Sequence, residues 1–170
     1  MRGDARVTAV GESVDLASAS FSSGAEVGSF QSGLIECCSR QEMERFISAR
    51  DSLPQEFRGF LAQYSLEEYV MKGARIFLTY DNLGGFALIN CELASLFSLP
   101  GGHHGDMLVS RAIEEGAQVL SCFDTLAKFS NLYERHGFRE TFRAPWDDNL
   151  APLHWNYAKW GRPDYVEMSL

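Results

Sequence analysis

Apolar residues along this chain change their spacing repeatedly, from the two-residue period of a half-buried strand to the three- or four-residue period of a helix. Strand-like runs occupy residues 30–38, 75–80, 86–89, 92–99, 118–123, 138–143 and 164–170. Helical runs lie between them, so the pattern predicts an α/β protein rather than an all-helical or all-strand one.

Capping residues mark where the first helices begin. Residues 39–42 form a capping box, and the helix that follows is predicted to end near Asp51. Pro54 suits the first position of a second helix. The apolar residues of that helix are Phe57, Phe60, Leu61 and Tyr64. A further capping box at residues 65–68 begins a short helical turn.

The second half of the chain contains two more amphipathic helices, at residues 107–116 and 126–137. Between the second and third strands, residues 81–85 have turn chemistry, which predicts an antiparallel hairpin. The full order is β-α-α-β-β-β-α-β-α-β-β. It predicts a mixed, mostly antiparallel sheet flanked by helices.

Composition divides the chain into a leader and one domain. Residues 1–28 are rich in Ser, Ala and Gly, so they are expected to form a flexible leader. Residues 29–170 are predicted to fold as a single domain. That domain includes an aromatic-rich insertion at about residues 144–163, which holds all three tryptophans.

The connection between the fourth strand and the third long helix has the chemistry of an anion site. Residues 100–106 hold three glycines, and a helical pattern begins directly after them. Backbone N–H groups at a helix start have no intrahelical acceptor, and the helix dipole adds partial positive charge, so the place suits a phosphate or another anion. A tight strand-to-helix turn is the alternative, because glycines often serve turns alone.

Charge and cysteine content argue against several classes of protein. The net charge of −8 at pH 7 argues against a nucleic-acid partner and favours a cationic one. The four cysteines show no C-x-x-C spacing, no apolar run is long enough for a membrane span, and the N-terminus has no signal-peptide core. We therefore expect reduced thiols, no membrane partner and a cytoplasmic location.

Three motifs follow one another in the order found in a known family. Residues 92–100 look like that family's fourth strand, and residues 101–116 look like its pyrophosphate loop and helix. Tyr133-Glu134-Arg135-His136-Gly137-Phe138 looks like its tyrosine-bearing helix end and is the most specific motif. Over about residues 34–143 the chain therefore resembles the GNAT superfamily of acyl-CoA-dependent N-acyltransferases. Residues 161–168 are similar to acetyltransferase-like proteins of phages and mobile elements.

The resemblance implies the GNAT fold and a direct transfer, in which an amine attacks the thioester of the cosubstrate acetyl-CoA. Glu92 matches the family's general base. Tyr133 matches its general acid, since a phenol with a pKa near 10 is well placed to protonate a thiolate. The alternatives are a solvated carboxylate for Glu92 and a buried aromatic residue for Tyr133.

In the family the fourth strand is splayed, and its free backbone N–H groups hold pantetheine and polarise the thioester carbonyl. In this chain the resemblance implies that the backbone N–H groups of Phe97 and Ser98 have this role. The implied cofactor-binding residues are Phe97, Ser98, Leu99, Gly101, Gly102, His103, His104, Gly105 and Asp106.

The loop departs from the family pattern, which reads Gln or Arg, two residues, Gly, one residue, then Gly or Ala. The best window, residues 102–107, lacks the leading basic residue and the final small residue. Asp106 would repel a pyrophosphate if it faced the loop and would be a good N-cap if it turned inward. His103 and His104 are either compensating donors or simple loop residues, and no ligand spacing supports a metal site that includes them.

The aromatic-rich insertion has two interpretations. Its rings and His154 either wall an acceptor pocket, where they offer cation–π contact to an amine, or pack as a small satellite core. The rings are those of Trp146, Trp155, Tyr157 and Trp160. Asp147 and Asp148 add negative charge that suits a cationic acceptor.

Three functional hypotheses result. The first is an N-acetyltransferase that transfers an acetyl group from acetyl-CoA to a primary amine of a small molecule or protein, with a homodimer as one expected assembly. The second is a GNAT-like fold that has lost catalysis and serves as a binding or regulatory module for a host or partner protein. A tRNA-acetylating toxin is the third, and the acidic balance of the chain disfavours it.

Overall fold

The computed structural model of the protein describes residues 33–125 and 128–170, and the predicted leader at 1–28 lies outside them. Seven described strands form one sheet: β1 (Leu34–Glu36), β2 (Arg75–Thr79), β3 (Gly84–Ile89), β4 (Glu92–Ser98), β5 (Val119–Phe123), β6 (Arg139–Ala144) and β7 (Tyr165–Ser169). Their spatial order is β1-β2-β3-β4-β5-β7-β6. Among these strands only the β4–β5 pair is parallel, so the predicted mixed, mostly antiparallel sheet is confirmed.

Six helices connect the strands in the described part of the chain: α1 (Arg40–Asp51), α2 (Gln55–Arg58), α3 (Leu66–Met71), α4 (Gly105–Glu114), α5 (Lys128–Arg135) and α6 (Tyr157–Trp160). A 3₁₀ turn at Asp148–Leu150 precedes α6. Both predicted capping boxes form, at Ser39 with Glu42 and at Ser65 with Glu68. The second box starts α3, where a short helical turn was predicted. None of the helices within residues 33–125 and 128–170 is long and apolar enough to cross a bilayer.

The second helix is much shorter than its apolar pattern predicts, and that prediction is wrong. α2 ends at Arg58, with Gly59 as its C-cap, and Phe60, Leu61 and Tyr64 lie beyond it in turn and irregular structure. All three are nevertheless buried. Phe60, for example, packs against the rings of two tail tryptophans. Tertiary packing, rather than a helical repeat, therefore explains these apolar positions.

Several element starts also differ from prediction, and β3, for example, begins at Gly84 rather than at residue 86. The first strand begins at Leu34 rather than at residue 30, and residues 30–32 lie outside the described part. Helix α4 begins at Gly105, two residues before the predicted start at Met107. Gly105 and Asp106 are therefore residues of the first helical turn and not of the loop.

Helices cover both faces of the sheet. A Cβ atom on Gly85 of β3 would lie 3.0 Å from the ring of Phe46, so α1 packs on that face. A Cβ atom on the neighbouring Gly84 would lie 3.0 Å from Leu108, which places α4 on the opposite face. Helix α5 contacts α4 and β5 and so lies on the α4 face. The α1 face and the α4 face define the two sides of the site described below.

Candidate functional site

Strands β4 and β5 pair only where they begin. Their register contains two pairs, Glu92 with Val119 and Leu93 with Leu120. On its other side β4 stays paired with β3 as far as Ser98. The two central strands therefore diverge after Leu93 and leave a wedge-shaped gap, whose apex lies beside Leu93 and whose mouth lies at Ser98.

A bulge in β4 lies just past the apex. The register with β3 shifts between Gly85 and Ala87, so two residues of β4 lie opposite Phe86. Ser95 takes up the extra length with φ of 52°, in the left-handed region that non-glycine residues seldom adopt. The bulge decides which backbone groups of the following residues point into the gap.

Hydrogen-bond alternation gives the direction of these groups. The Leu99 N–H donates to the Leu83 carbonyl oxygen at 2.6 Å, on the β3 side. Since successive N–H groups of a strand point to opposite sides, the Phe97 N–H also points towards β3, whereas those of Leu96 and Ser98 point into the gap. The gap is filled rather than solvent-exposed: every residue from Ala94 to Ser98 is at most 6% exposed.

The loop after β4 is a tight turn held against its neighbours. The Gly102 N–H donates to the Leu99 carbonyl oxygen at 3.0 Å, and the His104 N–H donates to the Ser98 hydroxyl oxygen at 3.1 Å. A Cβ atom on Gly102 would lie 3.0 Å from the Leu83 side chain, so glycine allows this close approach. Gly101 and His103 have φ values of 88° and 50°, which give the turn its sharp path.

His104 binds a carboxylate of the β2–β3 turn instead of facing outward from the loop. Its Nε2 lies 2.8 Å from Asp81 Oδ2. Burial acts to raise the pKa of Asp81, but hydrogen bonds from the Thr79 hydroxyl, the Leu83 N–H and His104 outweigh it and hold that pKa below its ordinary value. His104 thus anchors the loop to the neighbouring hairpin.

Asp106 neither caps α4 nor faces the loop. The N-cap residue is His104, and Asp106 lies 3.0 Å from His136 Nε2 and 3.2 Å from Arg135 Nη2 at the end of α5. This pairing draws its carboxylate towards α5, while the first backbone N–H groups of α4 have no intrahelical acceptor. His104 and Asp106 therefore bind different partners, and no group of three metal-ligating side chains is present in residues 33–125 and 128–170.

Glu92 lies at the apex of the gap. It is the first residue of β4 and half-buried, and its pairing with Ile89 places it on the α1 face. Tyr165 lies on the same face, where burial raises the pKa of its phenol and the charges of Glu167 and Glu92 add to that rise. The predicted base is therefore beside the point where the strands separate.

Tyr133 is fully buried on α5, with its ring edge-on to Phe138 at 6.1 Å between centroids. Because α5 lies on the α4 face, Tyr133 and Glu92 approach the sheet from opposite sides. A group lying between two diverging strands is open to both faces. The two predicted catalytic residues thus lie on opposite faces of the sheet.

A buried polar chain also reaches the bulge. The Tyr69 hydroxyl donates to Ser95 Oγ at 2.7 Å, and Ser95 Oγ donates to the Ala62 carbonyl oxygen at 2.9 Å. Arg50 Nη1 donates to the Tyr69 oxygen at 3.2 Å and to the Tyr64 carbonyl oxygen at 2.7 Å. Sequence reasoning missed these residues. The only available signal was one serine within the apolar run of β4.

The aromatic-rich insertion packs as part of the core. Trp155 is buried, and its ring lies 4.8 Å from that of Phe60 and 5.2 Å from that of Phe123 at the end of β5. A shallow cleft of about 400 Å³ lies outside this aromatic layer. It is lined by Pro54, Gln55, Glu56, His154 and Asn156. Trp155 therefore belongs to the main core, against which Trp146 and Trp160 pack, rather than to a separate satellite core, and the cleft is a separate surface feature.

Comparison with known proteins gives a match in structure and none in sequence. No protein-family model and no curated protein matches the chain. The fold is similar to spermidine N-acetyltransferase from Vibrio cholerae solved with CoA and spermine, with a TM-score of 0.55, 17% identity and coverage of 81% of this chain and 94% of that one.

Two further solved structures show the same likeness. A protein from Salmonella typhimurium that is assigned as an acetyltransferase, solved with its cofactor acetyl-CoA, gives a TM-score of 0.51 and 16% identity. The coverage is 81% of this chain and 92% of that one. Ribosomal-protein-alanine N-acetyltransferase from Brucella melitensis gives a TM-score of 0.50 and 14% identity, with coverage of 81% of this chain and 98% of that one. The described residues therefore have the fold of the GNAT acetyltransferases, as the sequence resemblance implied.

Proposed function

We propose that this chain, which has the fold of the GNAT acetyltransferases, transfers an acetyl group from acetyl-CoA to a primary amine. The observation that carries the proposal is the divergence of β4 from β5 after Leu93, followed by a glycine turn and a helix start. Diverging strands leave backbone N–H groups that are the proposed donors to an extended thioester, and the N-terminus of α4 is the proposed diphosphate site. The proposed contacts with the cosubstrate therefore lie along one continuous stretch of chain.

The proposed cosubstrate contacts run from the gap to the helix. The N–H groups of Leu96 and Ser98 point into the gap and are the proposed donors to pantetheine and the thioester carbonyl. The residues of the turn and the first N–H groups of α4 are the proposed diphosphate site. They are Leu99, Gly101, Gly102, His103, His104, Gly105 and Asp106, where the His104 and Asp106 side chains act by holding the turn and the helix start in place.

The proposed chemistry is a single acyl transfer. The amine nitrogen attacks the thioester carbonyl carbon, the carbon–sulfur bond breaks, and CoA leaves as a thiolate. Glu92 accepts the proton that the nitrogen loses, directly or through water, from the α1 face. Tyr133 gives a proton to the thiolate from the α4 face.

The proposed acceptor is the amine of a cationic molecule. The chain carries a net charge of −8, which favours the approach of such a substrate. One structural neighbour is a spermidine N-acetyltransferase with spermine bound. A panel of polyamines, aminoglycosides and lysine peptides, with acetylated product detected by mass spectrometry, is expected to show the highest turnover with the small polycations.

Calorimetric titration with acetyl-CoA tests the central claim. Wild-type protein is expected to bind at micromolar concentration, and Ser98→Ala, which removes the acceptor of the His104 N–H, is expected to bind several-fold more weakly. Ser52→Ala is the matched control, because it removes one serine hydrogen bond, to Ala49, at the remote end of α1. Absence of binding at millimolar acetyl-CoA would overturn the proposal.

A binding or regulatory module without catalysis is the second candidate. Two observations favour it: the residues lining the gap are buried, and the insertion fills the α1 face with aromatic rings. On this view acetyl-CoA does not bind, and a partner protein binds equally well to wild type, Glu92→Gln and Tyr133→Phe. Detection of acetylated amine that depends on Glu92 would exclude it.

A further inference from the structure

We propose that Arg50, Tyr69 and Ser95 are positioning residues that hold the β4 bulge, and thereby direct the backbone N–H groups of Leu96 and Ser98 into the gap. The inference rests on the proposed function for its meaning, because those N–H groups are the proposed donors to the thioester. Its structural part, the control of the bulge, stands on the geometry of this chain alone.

The bulge needs support because of the residue that forms it. Ser95 has φ of 52°, where the Cβ atom crowds the following carbonyl oxygen. Glycine has no Cβ atom and adopts such a φ without strain, whereas serine does not. Its hydroxyl makes two hydrogen bonds, one from Tyr69 and one to Ala62, and the residue is fully buried. Both bonds exist only while the side chain points towards the α1 face.

Arg50 extends this support to the end of α1. It is 4% exposed, and its guanidinium donates to Asp51, the Tyr64 carbonyl oxygen and the Tyr69 oxygen. A buried guanidinium is costly unless its donors are used. Because Arg50 donates to the Tyr69 oxygen, the Tyr69 hydroxyl proton points to Ser95 Oγ. The hydrogen bonds therefore run in one direction, from α1 to the bulge.

Loss of the bulge would change the site by more than a local shift. Without the extra residue, the pairing of β4 with β3 would slip by one position after Ala94. Each later side chain would then change face and each later N–H would change side. Phe97 would leave its contact with Phe46, and the Ser98 N–H would turn away from the gap. The chain from Arg50 therefore selects the register that serves the proposed site.

Two substitutions of Ser95 separate positioning from plain stability. Ser95→Ala and Ser95→Gly remove the same hydroxyl bonds, but only glycine adopts a positive φ without strain. We expect acetyl-CoA affinity to fall about tenfold in Ser95→Ala and to stay within about threefold of wild type in Ser95→Gly. A purely structural role predicts equal affinity in the two variants, and that result would overturn the proposal.

Tyr69→Phe gives an independent test, because it leaves Ser95 in place and removes the hydroxyl that donates to Ser95 and accepts from Arg50. Its expected effect is an affinity loss similar to that of Ser95→Ala, and restored affinity is expected when Tyr69→Phe is combined with Ser95→Gly. Unchanged affinity in Tyr69→Phe would contradict the proposal. Tyr80→Phe, at an exposed tyrosine, is the matched control.

Nuclear Overhauser contacts between Phe97 and Gly85 measure the register without any ligand. They are expected in wild type and Ser95→Gly and to weaken in Ser95→Ala and Tyr69→Phe. If wild type fails to bind acetyl-CoA while these contacts follow that pattern, the proposed function fails and the positioning role stands. If the contacts are equal in all variants, the positioning role fails whatever acetyl-CoA does.

Discussion

The two ends of β4 differ in how many neighbours they have. At Glu92 and Leu93 the strand is paired on both sides, with β3 and with β5. At Phe97 and Ser98 it is paired with β3 alone, and the following turn leads directly into α4. One strand can therefore hold a carboxylate in a fixed place at its closed end and offer unpaired backbone groups at its open end. The bulge at Ser95 separates these two roles.

The largest expected effect comes from removing the proposed proton acceptor at the closed end of β4, the end that is paired with both β3 and β5. Glu92→Gln keeps the shape of the side chain and removes the proposed proton acceptor, so amine acetylation is expected to slow by about 10²- to 10⁴-fold while acetyl-CoA affinity stays unchanged. Steady-state turnover and calorimetry measure the two separately. Glu44→Gln, on the exposed surface of α1, is the control, and a Glu92→Gln enzyme with full turnover would remove Glu92 from the mechanism.

The next largest effect comes from removing a buried side chain at the same end of β4. Leu93 is 1% exposed, and Leu93→Ala leaves a cavity where β3, β4 and β5 meet, so the free energy of unfolding is expected to fall by about 2–5 kcal/mol. Urea denaturation measures it, with the exposed Leu153→Ala as control. The folded variant should bind acetyl-CoA as wild type does, since the open end is untouched. A selective loss of affinity without loss of stability would contradict this division of roles.

The same contrast explains how much could be predicted from sequence. The order of strands and helices along the chain and the antiparallel β2–β3 hairpin were predicted from periodicity and turn chemistry, as with the run at 92–99 and the turn at 81–85, because these signals are local. Apolar spacing likewise predicted the helix that carries Tyr133, which is α5.

The open end depends on contacts between distant residues, and these were missed. Nothing local announces that Tyr69 bonds to Ser95, or that His104 turns to Asp81. Phe60 and Tyr64 had helical spacing but are buried without a helix, since tail tryptophans pack on Phe60 and the ring of Tyr69 packs on Tyr64. The chemistry of the candidate site thus rests on tertiary contacts that a single sequence does not encode in a readable pattern.

A smaller effect concerns how firmly the open end is held. Asp81→Asn weakens the bond to His104 without touching the gap, so acetyl-CoA affinity is expected to fall about fivefold, as for one hydrogen bond. Calorimetry at pH 7 measures it, with Asp147→Asn in the tail as control. Equal loss in the two variants would indicate a general effect of charge rather than a loosened turn.

Acid should remove the difference between wild type and Asp81→Asn. The pKa of Asp81 is lower in the folded protein than its ordinary value, so its stabilising effect is fully present above about pH 4 and is lost as pH falls through the folded value. Melting curves of the two proteins are expected to differ at pH 6 and to converge once the pH falls below the pKa that Asp81 has in the folded protein. Curves that stay apart in acid would show that the difference arises elsewhere.

The smallest expected effect tests whether the edge of β5 beyond its last pair with β4 is accessible to solvent or covered by packed side chains. Cys122 lies on β5 beyond its last pair with β4, yet it is fully buried, and burial raises the pKa of its thiol to about 12. A thiol that is buried and protonated reacts slowly, so a chromogenic disulfide at pH 8 is expected to modify exposed Cys38 at once and Cys122 only on unfolding. A variant with Cys38→Ser and Cys91→Ser removes the background from the exposed and the half-buried thiol. Rapid modification of Cys122 in that folded variant would show that this edge of β5 becomes exposed in solution and would contradict the prediction.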